Sequence, residues 1–146
     1  MQLWLEDLAP GDRFEGEWKR LDEGAFEAFA GLTGDAHPIH YDREYARRTR
    51  FGAPVAHGLL LASVTALGAT RLSERLRESM VALVEQGFRY RRPVLVGEAV
   101  KPVFIVEGVD RERGRLRFKV ELANEKSEVV AEGFHEYVLK SRANAR

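Results

Sequence analysis

The sequence predicts an α+β domain in which a curved antiparallel sheet wraps a central helix, and three observations carry that expectation. Leu116, Phe118, Val120 and Leu122 alternate with Arg115, Arg117, Lys119 and Glu121, the period of a strand with one buried and one wet face. Three more strand-like segments, 81–92, 98–109 and 128–139, surround it, joined by short turns of which 110–114 and 124–126 are the clearest. Residues 58 to about 76 read as helix, and the first half of that stretch is apolar or small on every side, so the helix must be enclosed.

Taken in order, residues 12–20 alternate loosely around Phe14, Gly16 and Trp18 and read as a strand. Asp22 then caps a short helix with Ala25, Phe26, Phe29 and Ala30 on one face. From residue 31 to 54 the chain is rich in Gly, Pro, Asp and His, interrupted only by a short helix expected after Asp42 that holds Tyr45 and Ala46. So long an irregular segment in a compact domain is commonly functional, and this one carries too many aromatic and buried-type residues to be disordered. The enclosed helix and the four strands follow, and the tail after about residue 140 reads as poorly ordered.

Length and composition bound the function. The 146 residues suit one domain, 1–146, without repeats or linkers. Lys plus Arg and Asp plus Glu are both 23, so no global field draws the chain to nucleic acid or to an anionic membrane. With no cysteine there is no disulfide, thiolate-ligated metal or cysteine nucleophile. Residues 1–20 lack a basic-then-apolar leader pattern, and the cytoplasm is the default compartment. Residues 51–70 carry no formal charge over 20 positions, but their glycines, Pro54, His57 and hydroxyl residues fit a buried helix with a functional entrance better than a membrane span.

The chemistry concentrates in residues 29–42, FAGLTGDAHPIHYD, and in residues 51–63, FGAPVAHGLLLAS. Adding water across an activated double bond needs one group to take a proton from water and another to deliver one to carbon, and a carboxylate with an imidazole is a competent pair. Asp35 and His40 supply those types, and Pro38 stiffens the loop between them. Gly58, opening the apolar helix after His57, is the candidate to offer a backbone N–H to an oxygen gaining negative charge. The two stretches together resemble the MaoC-like, or (R)-specific type 2 enoyl-CoA hydratase, family. Its signature is an Asp and a His five residues apart in a Gly-Asp-x-Asn-Pro-x-His loop, followed by Phe-x-x-Pro-x-x-His-Gly; here His37 stands where Asn is more usual.

The resemblance implies the hot-dog fold and a homodimer. It implies reversible hydration of a trans-2-enoyl-CoA to the (R)-3-hydroxyacyl-CoA, with no cofactor beyond the substrate's own CoA and no metal. Asp35 and His40 would be catalytic and Gly58 the oxyanion donor, with Ser63 supporting the carboxylate and His57 orienting the loop. Rival functions are a dehydratase of branched or dicarboxylic acyl-CoA or of 3-hydroxyacyl carrier protein, a hot-dog acyl-CoA thioesterase, and a non-catalytic acyl-binding module. A dicarboxylic substrate would want Arg47 or Arg50 pointing inward. Asp35, His37 and His40 are also adequate metal ligands by type. Arg89, Arg91, Arg92 and Lys101 could meet CoA phosphates but read equally as solvated strand charges, and Phe26, Phe29, Tyr45 and Phe51 read as core sooner than as an acyl tunnel. His135 has no motif around it.

Overall fold

The computed structural model describes residues 1–145. Its elements are β1 (Arg13–Glu15), β2 (Lys19–Arg20), α1 (Glu23–Thr33), α2 (Pro38–Tyr41), α3 (Arg43–Arg47), α4 (Gly58–Val64), α5 (Arg71–Arg75), β3 (Met80–Tyr90), β4 (Ala99–Asp110), β5 (Arg115–Asn124) and β6 (Val129–Leu139). The long strands fall within two residues of their predicted bounds. They build one antiparallel sheet in the order β1-β4-β5-β6-β3, with β2 also on β4.

Period-two patterning drives the sheet onto the helical layer. Leu116, Phe118, Val120 and Leu122 are all fully buried, and Phe104 and Val106 on β4 join them. Each such side chain contributes roughly 1.5–3 kcal/mol by leaving water. Phe26 of α1 and Leu60 and Leu61 of α4 pack with Val100, Leu122 and Val130, so the helices lie on the sheet's apolar face as the hot-dog arrangement requires. The closest backbone approach is where β3 meets β6. A Cβ on Gly133 would lie 1.8 Å from the Gly87 carbonyl oxygen, so only glycine lets those backbones approach.

Three local expectations are corrected. The strand predicted over 12–20 is two short strands, because Pro102 of β4 faces them. Its carbonyl accepts from Gly16 N–H at 2.8 Å, and its missing N–H breaks the ladder on that side. The predicted helix over 58–76 is divided into α4, a 3₁₀ turn at Leu67–Ala69 and α5. The break falls at Thr65, whose hydroxyl donates to the Ala62 carbonyl at 2.6 Å and accepts from His135 Nε2 at 3.1 Å. Nor does this chain alone enclose α4, since Leu59 is 71% exposed. The tail expected to be loose is tethered at Arg142, which bonds Asp7 and Glu6; residue 146 lies outside the described residues.

His135, unassigned by sequence, holds the broken helix to β6. The Thr65 hydroxyl proton is committed to Ala62, so His135 Nε2–H donates to Thr65, and Nδ1 accepts from Tyr137 O–H at 2.9 Å. Burial pushes the imidazole down to about 4 and Tyr137 up to about 12. A buried neutral histidine favours the fold above its unfolded value of 6.5, and that contribution disappears as pH falls towards 4. Its full size is about 3 kcal/mol. Denaturant midpoints are therefore expected to fall across pH 6.5 to 4, and to fall less steeply in His135→Gln; parallel slopes in the two proteins would contradict a neutral buried imidazole.

Candidate active site

The site is assembled from two loop segments pinned to one another and to the sheet. Pro38 opens α2 where a missing N–H costs nothing, and His37 caps it, its Nδ1 accepting from Ile39 N–H at 3.2 Å. An imidazole nitrogen thus takes the capping place that an asparagine oxygen would fill. The α2 helix went unpredicted because histidine is not a standard cap signal. The entrance segment 54–56 is clamped from both sides. Val55 N–H donates to the Ile39 carbonyl, Ala56 N–H to Val94, and Val96 N–H to Pro54.

That clamp sets His40. Its Nδ1 lies 2.6 Å from the Val55 carbonyl oxygen, which can only accept, so Nδ1 carries a proton and Nε2 is left to the site. The ring stacks on His57 with centroids 3.6 Å apart and planes 23° apart, and Phe29 covers the other side of His57 at 4.5 Å. A carboxylate oxygen of Asp35 and ring nitrogens of His40 and His57 all fall within 4.8 Å of one another. Asp35 is exposed; its Oδ1 accepts from His37 N–H at 3.2 Å, and Oδ2 accepts from no donor among the described residues.

Tyr41, which sequence reasoning missed, ties the two segments. Its hydroxyl donates to the Asp35 main-chain carbonyl at 2.7 Å and lies 2.6 Å from His57 Nε2. With the phenolic proton committed to a carbonyl, His57 Nε2–H must be the donor to the phenol oxygen, and His57 Nδ1 is a bare, buried acceptor without a protein partner. Burial first, then the nearby charge of His40, pushes His57 down to about 4, so it stays neutral near pH 7. Only the pairing of Tyr41 with a histidine 16 positions away reveals this role, and no local spacing signals it.

The nitrogen and oxygen spacing alone would admit a metal, but the ring geometry does not. An ion bound by both histidines lies close to both ring planes, and the planes of rings stacked 3.6 Å apart at 23° meet well beyond metal–nitrogen distance from either ring. His37, the third ligand type proposed from sequence, has Nδ1 occupied by the α2 cap.

The other candidate residues disperse. Gly58 begins α4 with no side-chain cap before it, so its N–H is unoccupied. The Ser63 hydroxyl turns back to the Leu60 carbonyl at 2.7 Å and makes no bond to Asp35. Arg91, Arg92 and Lys101 pair with Glu132, Glu128 and Glu15. Arg47 pairs with exposed Glu44, and Arg50 lies over the Phe51 ring, so neither supports a substrate carboxylate. Two apolar grooves flank α4: one of about 510 Å³ against α1, lined by Phe29, Leu60 and Val64, the other of about 430 Å³ against β3. No helix among the described residues is long and apolar enough to cross a membrane.

Two substitutions test this local architecture. His37→Asn is expected to keep the cap and near wild-type stability, while His37→Ala costs about 1 kcal/mol, read from denaturant midpoints; equal midpoints for all three proteins would contradict the capping role.

Comparisons with known proteins place the chain in a family. A 3-hydroxybutyryl-CoA dehydratase from Methylorubrum extorquens is 34% identical over 115 residues, 79% of this chain and 71% of that protein. A solved structure described as a monoamine oxidase regulatory protein from Archaeoglobus superposes with a TM-score of 0.86 at 28% identity, covering 96% of this chain and 95% of that one. The (R)-hydratase from A. caviae involved in PHA biosynthesis superposes with a TM-score of 0.80 at 25% identity, covering 92% and 99%. A family model described as the MaoC like domain matches residues 7–130, and the chain belongs to that family.

Proposed function

We propose that this chain is a hydro-lyase that reversibly adds water to a trans-2-enoyl-CoA, giving the (R)-3-hydroxyacyl-CoA. The observation that carries the reading is the convergence of the Asp35 carboxylate on His40 while His40 Nδ1 is committed to the Val55 carbonyl. Water held between Asp35 and His40 Nε2 gives a proton to one of them as its oxygen bonds to C3. The electron pair of the double bond moves through C2 onto the thioester oxygen, where Gly58 N–H meets the developing charge. The water's proton passes through the pair to C2 as the enolate collapses to the hydroxyacyl thioester, so Asp35 and His40 end as they began. Dehydration is the same path reversed, in keeping with the names of the relatives. No step calls for a cofactor.

His57 acts on this pair through His40. A neutral imidazole stacked on His40 fixes its ring and presents an electron-rich face to it when it is charged. An acyl chain has apolar room on either side of α4.

The active form in this reading is a homodimer. β3 is an edge strand whose Val81, Leu83 and Val84 are about half exposed, and the exposed Leu59 of α4 lies against the groove beside it. An unpaired apolar edge invites pairing, and a second copy of the same edge would enclose α4 as its all-round apolar pattern demands. Sedimentation at micromolar concentration is expected to give a dimer, and Leu83→Lys a monomer; a wild-type monomer would remove this assembly.

Crotonyl-CoA is expected to lose its conjugated-thioester absorbance when mixed with the protein. Asp35→Asn and His40→Ala should each lower kcat by about 100-fold or more while melting like the wild type. Folded variants with wild-type turnover would overturn the assignment of the pair, and release of free thiol without hydration would identify a thioesterase instead.

A further inference from the structure

Tyr90 ends β3 directly over the start of α4. A Cβ built on Gly58 would lie 2.9 Å from both Cε2 and Cζ of Tyr90 and 3.3 Å from its hydroxyl oxygen. Glycine at position 58 therefore lets the phenol ring come close to the start of α4. The Tyr90 ring sits on the residue whose N–H is unoccupied, and its hydroxyl makes no hydrogen bond to any described residue, although the ring is about half covered. Tyr41, by contrast, spends its hydroxyl on two protein partners. The Tyr90 hydroxyl is therefore free to donate to a group that approaches the Gly58 N–H.

We propose that the Tyr90 hydroxyl is a second donor to the thioester carbonyl oxygen, acting with Gly58 N–H during enolate formation. This inference rests on the hydratase reading and on the place that reading gives Gly58. Two donors on one oxygen match the two lone pairs of a carbonyl becoming an enolate, and a donor already in place needs no reorganisation as charge develops. Partial burial raises the phenol's proton affinity, so it remains a donor across the neutral range. The ring carbons make the closest contacts over Gly58, and the hydroxyl is the part of Tyr90 that can act on a bound carbonyl.

Tyr90→Phe keeps the ring and removes only the oxygen. The expected result is a fall in kcat for crotonyl-CoA of about 10-fold or more, with KM within about twofold, an unchanged melting temperature and an unchanged oligomeric state. A second readout is independent of turnover. The chromophoric thioester 4-(dimethylamino)cinnamoyl-CoA absorbs further to the red as its carbonyl is polarised, and its shift on binding should be smaller in Tyr90→Phe than in the wild type. Wild-type kcat in the variant, or an equal red shift in both bound complexes, would overturn the role of Tyr90 and leave the hydratase reading standing. A wild-type protein that hydrates crotonyl-CoA but binds the chromophore without any red shift would overturn the carbonyl donors as a pair. A wild-type protein that does not hydrate crotonyl-CoA would remove the reading on which the inference rests.

Discussion

The bond between His40 Nδ1 and the Val55 carbonyl is the constraint on which the rest of the site depends. It fixes which nitrogen carries the proton, the direction in which Nε2 points, and the distance between the two loop segments that supply the chemistry. Its two partners belong to segments that sequence order separates by 15 positions, and the backbone clamp of Val55 on Ile39 and of its neighbours Ala56 and Pro54 on Val94 and Val96 holds them in register. A site built on loops would ordinarily be imprecise. Here each loop is fastened to the other and to the junction leading into β4, so rigid elements position flexible ones.

Around this bond the chain accepts buried polarity in a measured way. His57 is 4% exposed and keeps Nδ1 unpaired, an unfavourable arrangement by itself. It is tolerated because the ring is packed between His40 and Phe29 and anchored at Nε2 by Tyr41. His135 solves the same problem differently, with both nitrogens satisfied by Thr65 and Tyr137. One histidine stacks on His40 and the other joins helix to sheet, and both are held neutral by burial.

The sequence made legible whatever depends on near neighbours. Alternation in β5 marks its buried face because that face is continuous, and the spacing of Asp35 and His40 is informative because the turn into α2 brings the two side chains together. Features settled by distant partners stayed hidden. The split between β1 and β2 depends on Pro102, some 85 residues later in the chain, and the break after α4 on a hydroxyl that finds His135. Tyr41 looks like an ordinary aromatic until its hydroxyl is seen to join Asp35 to His57. His37 departs from the family's usual asparagine, yet its ring nitrogen performs the cap, so the departure leaves the backbone of α2 intact. The all-round apolar character of α4 was legible as a demand for cover, and one chain meets only half of it.

The protonation pattern of the imidazoles tests the central claim most directly. Long-range ¹H–¹⁵N correlation at pH 8 separates the two neutral forms of each ring. The account predicts a protonated Nδ1 and bare Nε2 for His40, and the opposite form, protonated at Nε2 with a bare Nδ1, for the adjacent His57. If His40 instead carried its proton on Nε2, it could not be held by the Val55 carbonyl while offering a basic nitrogen to water, and the proposed chemistry of this site would be contradicted.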